Sequence, residues 1–324
     1  MQGHAKLDKA RSSKRPGRSS KRRPDPPFST QIAFNSFVLH NQSKNSEYFK
    51  SMIFLALAAM PADLDAYETA ELKWRENREV GLKRNTGWLS VAGLFWLKEG
   101  ENTVGSEGDV KLPDYTPKAY GTLVRAGKVV TLKVPGEADR VLKTDGEGTP
   151  DQVTVQEAIF TIIERGTRIG VRLYDPKSKF QQEFKGLNWF PIDEKYRIEA
   201  KFVPHKTVRT LKIANVIGDI NDVPNPGYVE FKFEGKTCRM EAQQEGDVLF
   251  FNFVDKTAGK ETYTPGRFLY SELPKDGKVV IDFNRAYNPP CAYTDFATCP
   301  RPPKENFLPV AIRAGEKDQP AHKD

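Results

Sequence analysis

The sequence predicts a mainly β protein, an antiparallel sandwich or barrel-like set of sheets preceded by one N-terminal helix and a disordered basic leader. Period-two alternation is the first observation behind this. Tyr196, Ile198, Ala200 and Phe202 alternate with Arg197, Glu199 and Lys201, and Val229, Phe231 and Phe233 alternate with Glu230, Lys232 and Glu234. Successive strand side chains point to opposite faces, so such runs have one buried and one wet face. The second observation is that the runs are short, bounded by turn signals such as Gly235-Lys236 and Asp276-Gly277, with no helices alternating among them. That favours antiparallel pairing over a doubly wound nucleotide fold. The third is composition. With 324 residues, 38% apolar and 29% charged, the chain has material for a sizeable core. No apolar stretch reaches the ~18–20 residues of a membrane-spanning helix. Three cysteines are too few for a disulfide-scaffold protein.

The elements follow in chain order. Residues 1–62 carry a net charge of +8 and residues 63–324 a net charge of −1, so the pI near 9.1 belongs to the leader. Residues 1–30 contain the near-repeat Arg11-Ser-Ser-Lys-Arg-Pro and Arg18-Ser-Ser-Lys-Arg-Arg-Pro with few large apolar residues. Such a segment buries too little to offset its chain entropy and reads as disordered. A nucleic-acid-binding domain would carry its basic excess on the folded surface. No nucleic-acid partner is therefore expected for the folded part.

Lys44 and Lys50 precede the short apolar run Met52–Ala62, rich in small residues. Two readings stand: a secretory signal translated from a start further downstream, or the first turns of a buried helix. The first puts the mature protein outside the cytoplasm, periplasmic or secreted, starting near Asp63. The second leaves it cytoplasmic.

Asp63 and Asp65 are helix starters, and Ala66 to Lys83 is rich in Ala, Glu, Leu, Lys and Arg, which predicts one helix of about five turns. Strands are expected at Thr122–Val134, Ala158–Glu164, Arg168–Tyr174, Thr207–Val216, Asp247–Val254 and Lys278–Phe283. The segment Phe184–Pro191 interrupts the strand run and marks a boundary near Gly186. A helix-plus-β unit, 63–186, then precedes a β-meander unit, 187–316, and a tail, 317–324. One continuous sandwich is the alternative.

The short motifs of phosphate cradles, zinc proteases, nucleophile elbows and dithiol oxidoreductases are absent. His205 is the single histidine between residues 63 and 316, which disfavours triads and multi-histidine metal sites. In Val203-Pro204-His205-Lys206 it reads as a solvated loop residue. No metal site and no cofactor are expected. Trp88, Phe95, Trp96, Phe250 and Phe251 are most simply core.

The stretch from Asp282 to Asn306 packs Pro, Asn and aromatic residues into a long irregular segment. Long loops without secondary structure are uncommon and are often functional. Together with Trp88-Leu89, Leu94–Leu97, Gly259–Tyr263, Gly266–Tyr270 and Leu308–Glu316, the run Asp282-Phe-Asn-Arg-Ala-Tyr-Asn-Pro-Pro-Cys291 resembles the bacterial and archaeal family catalogued as domain of unknown function 1684. The resemblance spans about residues 70–316. It implies no activity, cofactor or catalytic residue.

The residues themselves give two hypotheses. The first is a binding module for a small polar ligand, a carbohydrate or an anionic compound, with Asn284, Tyr287, Asn288, Arg267, Tyr263 and Arg313 as candidate contacts. The second is a hydrolase or lyase with Asp282 and Glu305 as paired carboxylates and Arg267 stabilising charge. A bland reading stands beside both, in which Asp282 and Arg267 form a structural ion pair. Cys291 and Cys299 lie eight apart in the same loop and are candidates for a disulfide, for buried thiols, or for a nucleophile or metal ligand. Whether the protein is an enzyme, and its oligomeric state, are left open.

Overall fold

The computed structural model describes residues 65–319. The basic leader with its 52–62 segment and the last five residues of the tail lie outside them. The described chain is mainly β, with antiparallel sheets and one main helix, as the alternation requires.

Helix α1 (Ala66–Leu82) starts where Asp65 accepts the Glu68 backbone N–H at 2.7 Å, occupying one of the amides that a helix start leaves unpaired. β1 (Val91–Trp96) follows. β2 (Gly100–Gly105), β3 (Val110–Lys111), β4 (Gly121–Ala126), β5 (Val129–Lys133) and β6 (Arg140–Leu142) make a five-stranded sheet in the order β3-β2-β4-β5-β6. β7 (Gln152–Val155), β8 (Ala158–Arg165) and β9 (Arg168–Tyr174) join β1 in a four-stranded sheet, β1-β9-β8-β7. The two sheets enclose one apolar core around Leu123, Val130, Phe160, Ile162 and Val171. Thr122–Val134 is a hairpin and not one strand, because Gly127 at φ 63° turns the chain between β4 and β5.

After the short helix α2 (Lys179–Glu183) come β10 (Arg197–Ala214), β11 (Ile220–Phe233), β12 (Lys236–Glu245), β13 (Val248–Phe253), β14 (Arg267–Glu272) and β15 (Lys278–Asp282). They form a nearly closed barrel in the order β14-β13-β12-β11-β10-β15. The two strands expected at Tyr196–Phe202 and Thr207–Val216 are one strand, β10, whose register against β11 shifts between Pro204 and Arg209. The β11–β12 turn uses Glu234 and Gly235 at φ 47° and 73°, and the turn before β15 uses Asp276 and Gly277 at φ 51° and 73°. Both turns have the two left-handed residues that match hairpin twist.

Phe231, Met240, Phe251, Phe253, Ile281 and Phe283 fill the barrel, joined by Leu308, Val310 and Ile312 from the C-terminal segment. That segment is tied to the barrel by the Val254–Phe307 bridge and by the Lys256 N–H donating to the Val310 carbonyl at 2.9 Å. Helix α1 meets the Phe283–Arg285 turn just past β15. Among the described residues no helix is long and apolar enough to cross a membrane.

Candidate functional site

The inner face of α1 is charged where an ordinary surface helix is apolar. Tyr67, Glu71, Trp74, Arg75 and Arg78 follow one another at three- and four-residue helical spacing or adjacent to it, and Glu71 and Arg75 are buried. Each polar member is met by the barrel side. Tyr67 donates its hydroxyl to Asp282 at 2.8 Å. Glu71, fully buried, accepts from Arg285 Nε through both oxygens at 2.9 Å and pairs with Nη2 at 2.7 Å. Arg75 gives Nη1 to the Phe190 carbonyl at 3.0 Å and lies 4.8 Å above the Trp189 ring.

Arg78 reaches the centre of the arrangement. Its Nε donates to Glu316 at 3.0 Å, and its Nη2 donates to the Asn288 carbonyl and the Tyr293 hydroxyl at 2.9 and 3.0 Å. Glu316 has no exposed surface, and it also accepts the Asn288 backbone and side-chain amides at 3.1 and 3.0 Å and the Tyr293 hydroxyl. A buried charge survives only when paired and hydrogen-bonded in this way. Burial opposes ionisation of Arg78, but Glu316 with Tyr293 and Tyr287 outweighs it and raises the guanidinium pKa. Gly315, at φ 78°, sets Glu316 in place, since a Cβ there would collide with the Ala286 carbonyl oxygen.

Beside this hub lies a cleft of about 460 Å³ walled by Trp74, Arg78, Trp88, Tyr270, Arg285 and Tyr287. Tyr270 and Tyr287 stack at 6.5 Å with 19° between planes, and Trp74 stands 6.3 Å from Tyr287. The Arg78 guanidinium sits 4.1 Å from the Tyr287 ring centre, and Arg285 sits 6.0 Å from Trp74. Nη1 of each arginine has no hydrogen-bond partner among the described residues. Burial pushes the Tyr287 hydroxyl up to about 12. Tyr270 and Arg285 also line a second cleft of about 640 Å³, which continues along α1 past Tyr67, Arg197, Glu199 and Asp282. A further cleft of about 610 Å³ lies against β2 and β4. Of its charged side chains, Lys118 and Glu107 form an exposed pair at 2.7 Å and Lys133 pairs with exposed Asp139 at 3.5 Å, and no buried charge faces it.

Of the residues singled out by sequence, the clefts take two, Asp282 and Tyr287. Asn284 is a buried clamp, donating to Tyr67, Asp193 and Asp282 and accepting the Asp193 amide. Asn288 holds Glu316. Tyr263 donates to the Cys291 carbonyl at 2.8 Å. Arg313 pairs with Glu261 at the surface. Arg267 lines neither cleft along α1. It is 1% exposed, bound to Asp255 at 2.5 Å and to the Ala314 and Ile312 carbonyls. The Asp282–Arg267 ion pair is therefore replaced by Arg267–Asp255, while Asp282 has Arg197 at 3.9 Å. Glu305 is exposed on the Lys304–Asn306 turn and does not line the cleft that Asp282 lines.

His205 corrects the loop reading. It lies within β10, its side chain is 6% exposed, and Nε2 is 3.2 Å from Glu241. Trp88, read as core, is half-buried and walls the cleft. Sequence reasoning passes over Trp74, Arg78, Arg285 and Glu316. The available signal is in α1, where Glu71, Trp74, Arg75 and Arg78 put charge and aromatic bulk on one helical face. Cys291 and Cys299 carry free thiols, with the Cys291 amide donating to Cys299 Sγ at 3.2 Å. Among the described residues no group of three or more His, Cys, Asp and Glu side chains has the arrangement to hold a metal ion.

A family model described as "Protein of unknown function (DUF1684)" matches residues 182–317, the stretch containing the barrel and its C-terminal segment. The solution NMR structure of the uncharacterized protein from gene locus rrnAC0354 of Haloarcula marismortui is similar at 32% identity, covering 44% of this chain and 82% of that one, with a TM-score of 0.38. No curated protein matches. The chain belongs to the family of proteins of unknown function DUF1684.

Proposed function

We propose that the protein binds a small anionic carbohydrate, a sugar ring bearing a carboxylate or phosphate, in the cleft between α1 and the barrel. The observation that carries this is the joining of a stacked aromatic wall, Tyr270 with Tyr287 and Trp74, to two guanidinium groups whose Nη1 atoms have no protein partner among the described residues. Flat aromatic faces suit the apolar face of a sugar, and an arginine edge suits a carboxylate or phosphate. Glu71 and Glu316 hold the two arginines from behind, so the ligand meets side chains already fixed in place. Asp282 and Arg197 in the adjoining cleft offer an acceptor and a donor to the remaining hydroxyl groups.

Calorimetric titration with galacturonate, glucose 6-phosphate, the corresponding neutral sugars and inorganic phosphate tests this. The acidic sugars are expected to bind best. Tyr270→Ala removes an exposed ring, with loss of roughly fivefold in affinity and no loss of fold, from a stacking contribution of about 1 kcal/mol. Equal binding of neutral sugars, or an unchanged affinity in Tyr270→Ala, would overturn the reading.

The same proposal places the protein outside the cytoplasm, on the strength of the cationic and apolar pattern from Lys44 to Ala62. A mature chain beginning near Asp63 in the extracytoplasmic fraction supports it. A chain retaining residues 1–62 in the cytosol rejects it.

A further inference from the structure

Arg172 on β9 faces away from the apolar core that Val171 and Leu173 enter. Its side chain packs on the Trp88 ring, 4.8 Å from the ring centre, and the residue is 6% exposed. Nε and Nη2 have no hydrogen-bond partner, and neither has Oγ1 of Thr161, directly opposite on β8. A buried guanidinium in this position is costly unless a negative charge accompanies it. No carboxylate pairs with it among the described residues. Cys299, 4% exposed, belongs to the small apolar cluster that the same Trp88 packs against. Cys291 is half-buried, its amide bonded to Cys299 Sγ and its carbonyl held by Tyr263.

We propose that Cys291 and Cys299 form an exchange-reactive dithiol, converted to an intrachain disulfide by small-molecule disulfides, with the unpartnered Arg172 guanidinium as the neighbouring positive charge that assists closure by Cys299. The two thiols are neighbours, the Cys291 amide donating to Cys299 Sγ at 3.2 Å, and their acidities diverge. The neighbouring Cys299, helped by Tyr263, holds Cys291 below the ordinary thiol range, while Cys291 and burial drive Cys299 up. Arg172 acts on Cys299 in the acidifying direction. Arg172 from β9 and Tyr263 from the loop before β14 are the groups that act on the pair. Cys291, the more exposed and more acidic, is the attacking sulfur, and Cys299 is the resolving one.

In the first step the Cys291 thiolate attacks one sulfur of the external disulfide. The S–S bond breaks, and the departing thiolate takes up the proton that Cys291 released. In the second step Cys299 loses its proton and attacks Cys291 Sγ. The mixed disulfide breaks, and the second external thiolate leaves and takes that proton. Two protein thiols are oxidised and one external disulfide is reduced to two thiols.

The test uses the full chain, reduced and then exposed to oxidised glutathione, acid-quenched and read by intact mass and peptide mapping. The expected product has lost two hydrogens, with Cys291 joined to Cys299 and Cys238 unreacted in the barrel core. Cys299→Ser is expected to trap one glutathione on Cys291. Arg172→Met is expected to slow closure by Cys299 severalfold, so that the Cys291–glutathione adduct accumulates before the disulfide forms, and Arg172→Lys to restore most of the rate. A wild-type chain that keeps three thiols, or takes up glutathione at Cys238 as fast as at Cys291, would overturn the proposal without any variant. So would an Arg172→Met protein that closes the disulfide as fast as the wild type.

Discussion

The N-terminal sandwich and the C-terminal barrel bury similar kinds of apolar side chain, yet they handle charge in opposite ways. The sandwich core, around Leu123, Phe160, Ile162 and Val171, contains no charged residue. Around the barrel, Glu71, Arg75, Asp255, Arg267 and Glu316 are all buried, and four of the five belong to closed acid–base pairs or to a carboxylate hub. A purely apolar core is stable and tolerant of exchange among similar residues. Buried pairs contribute little net stability, because desolvation offsets much of their attraction. They impose geometry instead. Arg285 and Arg78 stay where Glu71 and Glu316 hold them, and the cleft wall is made of those two arginines and the rings they pack on. Arg75 on α1 and Arg172, on the outer face of a sandwich sheet, are the exceptions, with no acid at ion-pair distance among the described residues.

The largest effect that sharpens this contrast is expected from Glu316→Ala. It leaves Arg78 buried without its carboxylate, strips the acceptor from the Asn288 backbone amide and the Tyr293 hydroxyl, and leaves the Asn288 side-chain amide with only the Lys317 carbonyl. Denaturant titration is expected to show a loss of about 3–5 kcal/mol. Carbohydrate binding at the cleft should fall with it. A loss below about 1 kcal/mol would mean that the hub is dispensable and that the cleft is shaped by something else.

Ile162→Val in the sandwich is expected to cost about 1 kcal/mol, because it removes one methylene from a packed interior. Ile162 has no exposed surface. The cleft should bind as before, measured by the same titration. Weakened binding would break the separation between a scaffold half and a site half.

A smaller effect is read against pH. Burial raises the Tyr287 hydroxyl from its ordinary value of 10.0 to about 12. The folded state therefore keeps a proton that the unfolded chain gives up, and stability from this group is fully present below pH 10. It is lost as pH rises from about 10 to about 12. Tyr287→Phe should show a shallower loss of thermal stability across that window than the wild type. Identical slopes would mean that Tyr287 ionises as easily folded as unfolded, and that its burial does not outweigh the pull of Arg78.

Much of the fold was legible because it rests on local rules. Alternation from Tyr196 to Phe202 and from Val229 to Glu234 located strands without any partner being known, and Asp65 located the helix start. Joining two of those strands into β10 was not legible, because the register shift near Pro204 is decided by pairing with β11. The site was half legible. Pro and Asn density singled out the loop that supplies Asp282, Arg285, Tyr287 and Asn288. It gave no hint that α1, some two hundred residues earlier, supplies Trp74 and Arg78. Residue type singles out Arg267 and Glu305, and type does not reveal that one is sealed against Asp255 and the other points into solvent. His205 is misplaced for a similar reason, since Pro204 before it suggests a turn where the structure has an irregular strand.

The smallest expected effect comes from Arg313, whose candidacy rests on its fork of donors alone. It pairs with Glu261 at 2.9 Å, with side-chain exposures of 57% and 37%. Exposed pairs contribute between nothing and about 1 kcal/mol, because water screens them and both side chains lose freedom in making them. Arg313→Ala is therefore expected to leave both stability and cleft affinity unchanged within the error of denaturant titration and calorimetry. The comparison with Arg78 is direct: two arginines on the same half of the molecule, each beside a glutamate, differ mainly in burial. If Arg313→Ala weakened binding as strongly as Tyr270→Ala, the ligand surface would have to extend over the barrel end where Glu261 and Arg313 meet. The cleft along α1 would then be only one part of it.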